Sequence, residues 1–277
     1  MNEFSRVLID RSGYEGDGFT EVYDRHRPAP PPALLEILML VAQVERPLLV
    51  VDLGAGTGLS TRVWSERAAE VLGVEPNPAM VARARLATTA PNARYVEAFA
   101  ADTGLAADCA DVVTCAQAFH WMEPAAALDE SARILRPGGV FAAYDYDVPP
   151  VVHPEVDDAF AAHFEARRAA RKRLGLEAGA ATWPKERHLE RIRESGHFRF
   201  AREIVCHGVD RTPAGSSVWP RAWAAPAPCS AARRRRSRRR SSSFGIRRIE
   251  SSAMVRTRWW SAIESASESP ERGRRRP

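Results

Sequence analysis

The segment Val50-Val51-Asp52-Leu53-Gly54-Ala55-Gly56-Thr57-Gly58-Leu59-Ser60 sets three glycines at alternate positions, between an apolar run and a helical pattern. Where a strand gives way to a helix, the backbone must turn sharply, and glycine supplies both the positive φ and the room for a ligand to approach. The spacing discriminates among ligands. A dinucleotide-binding turn needs G-x-G-x-x-G, whose third glycine would fall at Leu59, and a phosphate-cradling P-loop needs Gly-Lys-Ser/Thr where Gly58 is followed by Leu59. Dehydrogenases and P-loop enzymes are thereby set aside. A G-x-G-x-G turn preceded by an acid suits instead a nucleoside with a charged amino-acid end. Asp52 is expected to face that ligand's ammonium, with Gly54, Gly56 and Gly58 lying along its amino-acid part.

Around this turn, short apolar runs alternate with longer amphipathic ones, as in an α/β sheet with crossover helices. Strands are expected at Leu48–Leu53, Val71–Val74, Ala93–Val96, Asp111–Cys115, Val140–Tyr144 and Phe198–Val209. Helices are expected at Ser60–Glu70, Pro78–Ala87 and Ala125–Leu135, with Pro137-Gly138-Gly139 stopping the last and turning the chain into the next strand. The second strand ends in Glu75-Pro76. Glu75 lies 23 residues beyond Asp52, where an acid at a strand tip can accept from both ribose hydroxyls. Residues 1–46 read as a helical lead-in and 47–210 as the α/β domain. A helical insertion over 154–174 carries a cluster of Arg and Lys at its end.

Residues 211–277 are different material. Their 67 residues hold 13 Ser and 17 Arg but no Leu, Tyr, Lys, Asp, Asn, Gln or His, and without Leu a segment has little to build a core from. Three readings of this tail stand open: a disordered linker, a basic arm for nucleic acid or anionic lipid, or an out-of-frame read of a GC-rich gene. The tail also decides what the charge means. The chain's net +5 divides into +13 for the tail and −8 for residues 1–210, so the basic total says nothing about what the folded part binds. Cys109, Cys115, Cys206 and Cys229 form no C-x-x-C pair and have no His at metal-ligand spacing, which suits reduced thiols and no metal. No apolar run reaches the ~18 residues that span a bilayer, and the N-terminus lacks a signal-peptide core. The expectation is a cytoplasmic protein that does not associate with membranes.

Four blocks taken together resemble the class I S-adenosylmethionine-dependent methyltransferases, in particular the small-molecule, type 11-like branch. They are Asp52–Gly58, Glu75-Pro76-Asn77-Pro78-Ala79-Met80, Asp111 through Trp121 and Leu135-Arg136-Pro137-Gly138-Gly139. The resemblance covers about residues 14–209. It implies a Rossmann-like, doubly wound, mostly parallel sheet with helices on both faces and an antiparallel C-terminal edge. That edge is expected to be incomplete, because the tail offers only Val255–Ile263 as an apolar candidate for a seventh strand. It implies S-adenosyl-L-methionine as cofactor, held by Asp52, Gly54, Gly56, Gly58, Glu75, Pro76, Met80 and Gln117. In relatives a Tyr and an Arg of an N-terminal helix cap the cofactor's carboxylate end, which here means Tyr23 and Arg27. Relatives also often carry an acid after the third strand that holds the adenine amino group; this chain has Ala101 there, with Asp102 one place later as the substitute.

Methyl transfer from a sulfonium needs alignment and exclusion of water more than chemical help. Gln117 to Trp121, after the fourth strand, is expected to line the gap between cofactor and acceptor, with His120 as the candidate general base. Trp121, Tyr144 and Asp145 are candidate substrate contacts, and Asp147 lies on the same edge. A nucleic-acid methyltransferase is the rival reading. Amino-methylating DNA enzymes resemble one another in an Asp/Asn-Pro-Pro-aromatic block after the fourth strand, where this chain has Ala116-Gln117-Ala118-Phe119, and the acidic core opposes a polyanion. A non-catalytic module that only holds a nucleoside is the third. The reading favoured is methyl transfer to a small-molecule acceptor, with the acceptor atom and the oligomeric state left open.

Overall fold

A computed structural model of the chain describes residues 27, 29–146, 154–175, 182–210 and 253–264. Its strands are β1 (Leu49–Leu53), β2 (Glu70–Val74), β3 (Ala93–Val96), β4 (Ala110–Ala116), β5 (Leu135–Tyr146), β6 (Phe198–Asp210) and β7 (Ala253–Glu264). The helices are α1 (Pro32–Val41), α2 (Leu59–Ser65), α3 (Pro78–Ala87), α4 (Pro124–Ile134), α5 (Pro154–Arg173) and α6 (His188–Glu194). The strands form one sheet in the order β3-β2-β1-β4-β5-β7-β6, and β1 to β5 pair in parallel. The chain divides into two compact units. The larger holds Pro30–Asp145 and Thr182–Cys206, and with them the parallel sheet; the smaller holds α5.

Why the sheet is covered on both sides follows from alternation along its central strands. Val50, Val112, Val140, Ala142 and Tyr144 pack with Leu34, Leu35 and Leu38 of α1 and Trp64 of α2. Their immediate neighbours Val51, Val113, Phe141 and Ala143 pack with Ala127 and Leu128 of α4 and Ile192 of α6. Side chains on successive strand positions face opposite ways, so Val-Val and Phe-Ala-Ala runs feed two cores at once. A third, smaller cluster seats Val81 and Ala84 of α3 against Ala55 and Tyr95. The doubly wound α/β expectation holds.

Three local expectations change. α2 ends at Ser65 instead of Glu70, because β2 already starts at Glu70, whose N–H bonds Leu48 O at 3.0 Å. Pro137-Gly138-Gly139 does not precede β5 but lies inside it. There the β4 register shifts between Ala110 and Val112, and Gly138 takes a φ of +82°, so the irregularity is absorbed as a bulge. β7 falls within the Arg/Ser-rich tail, over the Val255–Ile263 stretch. Its Val, Thr, Trp and Ile are residues that strands favour whatever the composition around them.

The strand order fixes where a ligand can sit. β2 and β3 lie to one side of β1, and β4 and β5 to the other, so the chain reverses its winding between β1 and β4. In open α/β sheets the crevice outside the carboxyl ends at such a switch point is where ligands bind. The glycine turn follows β1 and the Gln117–Trp121 segment follows β4, so both open onto that point.

Candidate active site

Gly54, Gly56 and Gly58 have φ of +69°, +56° and +83°, a left-handed backbone that disfavours any side chain. What a Cβ would meet differs among the three. At Gly54 it would come within 2.5 Å of the Ala118 Cβ and 2.8 Å of the Met122 methyl, so the segment after β4 presses directly on the turn. At Gly58 it would strike the Tyr95 ring, with Cζ at 2.9 Å. At Gly56 nothing lies within 4 Å. Two glycines are therefore required by protein packing, and the third faces open space beside the turn.

Glu75 closes the other side of that space. Its Oε2 accepts from the Gly56 N–H at 3.0 Å and its Oε1 from the Asn77 N–H at 3.0 Å. Burial raises its pKa against the opposing pull of those two bonds. Each oxygen keeps a second lone pair, so hydroxyls of a ligand can still be accepted. Beyond it Pro76 is half-buried, Asn77 caps α3 by accepting from Ala79 and Met80 N–H, and Met80 is buried.

Asp52 departs from expectation. Its carboxylate is fully buried and turned into the protein: Oδ2 accepts from Thr61 of α2 at 2.7 Å and Oδ1 from Thr114 of β4 at 2.9 Å. Instead of facing a ligand's ammonium, it ties α2 and β4 to the base of the glycine turn. Desolvation pushes its pKa up to about 6, although the threonine hydroxyls oppose the rise.

At the end of β4, Gln117 adopts a φ of +54°, unusual for a residue with a side chain, and its N–H bonds Tyr144 O at 2.8 Å. Left-handed non-glycine residues persist where the surroundings over-determine them, and they gather at functional sites. The 3₁₀ turn Phe119–Trp121 follows. Phe119 is buried in the core, while His120 and Trp121 are half-buried with ring centroids 5.2 Å apart. His120 Nδ1 lies 3.6 Å from Asp145 Oδ1, and Lys185 Nζ lies 2.6 Å from the same oxygen.

The remaining expected residues fall elsewhere. Tyr144 is not on the substrate edge: its ring belongs to the α1-side core and its hydroxyl bonds Ser60, since odd and even positions of β5 face opposite ways. Burial drives that phenol well above its ordinary range. Asp102 is exposed, its N–H bonded to Phe99 O at 3.0 Å. In the smaller unit the Arg27 guanidinium bonds the Tyr146 hydroxyl and lies over its ring, 5.5 Å from the centroid. Tyr23 and Asp147 lie outside the described residues.

Sequence reasoning missed Lys185 and His188. His188 opens α6, is fully buried, and meets the Phe119 ring edge-on at 4.7 Å. No motif spans Trp183 to His188, and only the fold brings that stretch beside β4 and β5. Burial, then the charges of Arg191 and Lys185, lower the His188 pKa to about 3. The folded state therefore resists protonating a group that the unfolded chain protonates near pH 6.5. The stability this neutral imidazole confers is complete above that pH and is lost as pH falls toward 3. His188→Gln removes the titration. Between pH 7.5 and pH 5 the wild type is expected to lose about 1–2 kcal/mol more than this variant in denaturant melts. Equal losses would show that His188 protonates freely in the folded protein.

Among the described residues, no helix is long and apolar enough to cross a membrane. Residues 51–143 match the family model of the methyltransferase domain. An uncharacterised methyltransferase of Mycobacterium tuberculosis is 43% identical over 119 residues, covering 42% of this chain and 46% of that protein. A Saccharomyces cerevisiae protein named as a probable S-adenosylmethionine-dependent methyltransferase is 31% identical over 135 residues, 47% of this chain and 46% of that one. The chain thus spans about half the length of the curated relatives it matches. In fold it is similar to a chain of the complex between the Haloferax volcanii Trm112 methyltransferase activator and a methyltransferase. The TM-score there is 0.51 at 19% identity, with 96% of this chain and 99% of that one covered. Over residues 51–143 the chain is thus similar to the methyltransferase domain, and its fold is similar to that of a chain of that methyltransferase complex.

Proposed function

We propose that the chain transfers the methyl group of S-adenosyl-L-methionine to a small-molecule acceptor in the cytoplasm. The observation that carries this reading is the pairing of Gly56, whose absent Cβ leaves open space, with the Glu75 carboxylate that accepts its N–H. A nucleoside fits such a pair, with its ribose hydroxyls on Glu75 and its amino-acid end along Gly54–Gly58. Pro76, Met80 and Gln117 would wall the same crevice, and Tyr23, Arg27 and Asp102 belong to the proposal on the family resemblance alone. When bound, the cofactor supplies a sulfonium methyl whose carbon–sulfur electron pair stays with sulfur. The protein's share is to align an acceptor beyond Gln117–Trp121 and to keep water out.

Glu75→Ala is expected to weaken S-adenosylmethionine binding by about 1–3 kcal/mol, the cost of leaving ligand hydroxyls without their acceptor. An unchanged dissociation constant would put the ribose elsewhere. The acceptor class is tested by incubating the protein with methyl-labelled S-adenosylmethionine and either a small-molecule extract or total RNA and DNA. Label in the small-molecule fraction supports the reading. Label confined to the polymer would favour the nucleic-acid alternative.

A further inference from the structure

We propose that His120, Asp145 and Lys185 form a proton-accepting unit for an acceptor that presents a phenolic or enolic hydroxyl; the inference rests on the methyltransferase reading above. Three separate stretches converge on one carboxylate. His120 stands in the turn after β4, Asp145 near the end of β5, and Lys185 at the start of the 3₁₀ turn Lys185–Arg187. Asp145 is 4% exposed, and its Oδ1 takes the Lys185 ammonium at 2.6 Å with the His120 Nδ1 at 3.6 Å. The Trp183 N–H donates to the His120 carbonyl at 2.8 Å, which fastens the lysine-bearing stretch to the histidine turn. Lys185 Nζ also reaches Gln117 Oε1 at 3.5 Å.

A buried carboxylate needs a partner, and the Lys185 ammonium pairs with Asp145 Oδ1 and orients it. A carboxylate on the Nδ1 side of an imidazole selects the tautomer with hydrogen on Nδ1, so the basic lone pair sits on Nε2. At 3.6 Å the His120–Asp145 contact is longer than a hydrogen bond, as is common before a substrate tightens a catalytic site. In the reaction the acceptor's O–H proton passes to His120 Nε2. The oxygen's electron pair takes the methyl carbon as the carbon–sulfur pair remains on sulfur, and the imidazolium then gives its proton to solvent. The hydroxyl class follows from proton affinities. A phenol near pKa 10 lies about 3.5 above imidazole, within reach of a general base, and a carboxylic acid is already ionised and needs none.

The same histidine and aspartate lie with His188 so that their ligand atoms fall within 4.8 Å of one another, a spacing that would also suit a metal ion. Two cations oppose it. Arg191 Nη1 sits 3.2 Å from His188 Nδ1, and a guanidinium can only donate, so Nδ1 accepts and Nε2 carries the hydrogen in place of a ligand lone pair. The Lys185 ammonium already occupies Asp145 Oδ1.

The test is nitrogen-detected NMR of the full chain labelled with ¹⁵N-histidine, His120 being assigned through His120→Gln. The expected result is a neutral His120 with hydrogen on Nδ1, shifting toward the Nε2–H form in Asp145→Ala. An Nε2–H tautomer in the wild type would overturn the proposal, and that spectrum decides alone if the variant does not fold. One equivalent of zinc is expected to leave His120 and His188 unmoved; a joint shift of both would assign the cluster to a metal instead. Phenol, as the simplest acceptor of the class, is expected to perturb His120 Nε2, and no response would overturn the acceptor class. Titrating S-adenosylmethionine into the same samples reads the cofactor assignment separately, since the tautomer does not depend on it.

Discussion

Gly56→Ala is expected to lower affinity for S-adenosylmethionine at least about a hundredfold, equivalent to about 2.7 kcal/mol, while leaving the fold intact. The site's geometry makes this a clean experiment. The added methyl would meet no protein atom within 4 Å, so it fits the ligand-free protein and competes only with whatever fills that space. Its backbone cost is that of any alanine in the left-handed region, roughly 1–2 kcal/mol. Gly104 supplies the control: its φ is +68°, its Cβ position is equally open, and it lies in the connection between β3 and β4, away from the turn after β1. Gly104→Ala should share the strain, with a similar drop in melting temperature, and should bind as the wild type does. Equal affinity losses in both variants would mean that backbone strain, not occupation of a ligand's place, sets the effect at Gly56.

The second large effect concerns stability. Asp52→Asn should gain on the wild type as pH rises, by about 3 kcal/mol between pH 3.5 and pH 7.5. The sign follows from burial. Asp52 has its pKa pushed up to about 6 from an ordinary 3.8, so the folded state favours the protonated carboxyl. The stability conferred by that preference is complete below pH 3.8 and is lost as pH rises through 6, when the folded protein must hold a fully buried ionised carboxylate whose hydrogen bonds, from Thr61, Thr114 and Ser60, offset its desolvation only in part. Asparagine keeps one acceptor and replaces the other with a donor that a threonine hydroxyl can accept. Urea denaturation at both pH values measures the difference. A constant offset would show that Asp52 is ionised without cost, through charge or solvent reaching its buried position.

The strand–turn–helix at Asp52–Gly58 was legible because the residues that make the turn are the residues that could make nothing else. Glu75 was legible by its distance from that turn. Orientation was harder to read. Tyr144 and Asp145 are neighbours at the same strand end, and sequence assigned both to the substrate edge; the two-residue period of a strand sends one into the core and leaves the other beside His120. Asp52 sits between two threonines that only the folded sheet brings to it, Thr61 from the next helix and Thr114 from a strand 62 residues away. Lys185 and His188 carry no pattern of their own, and their meaning comes from Trp183 docking on the His120 carbonyl. β7 shows the limit of reading by composition, since five strand-favouring residues, Val255, Thr257, Trp259, Trp260 and Ile263, hide in a segment dominated by Arg and Ser.

Calorimetric titration of S-adenosylmethionine, and separately of NAD, into the 277-residue chain tests the central claim most directly. The account predicts one site for S-adenosylmethionine and no heat from NAD, because the turn has the room at Gly56 and the acid at Glu75 but not the third glycine of a dinucleotide cradle. A folded protein that binds NAD, or that leaves S-adenosylmethionine unbound, would contradict it.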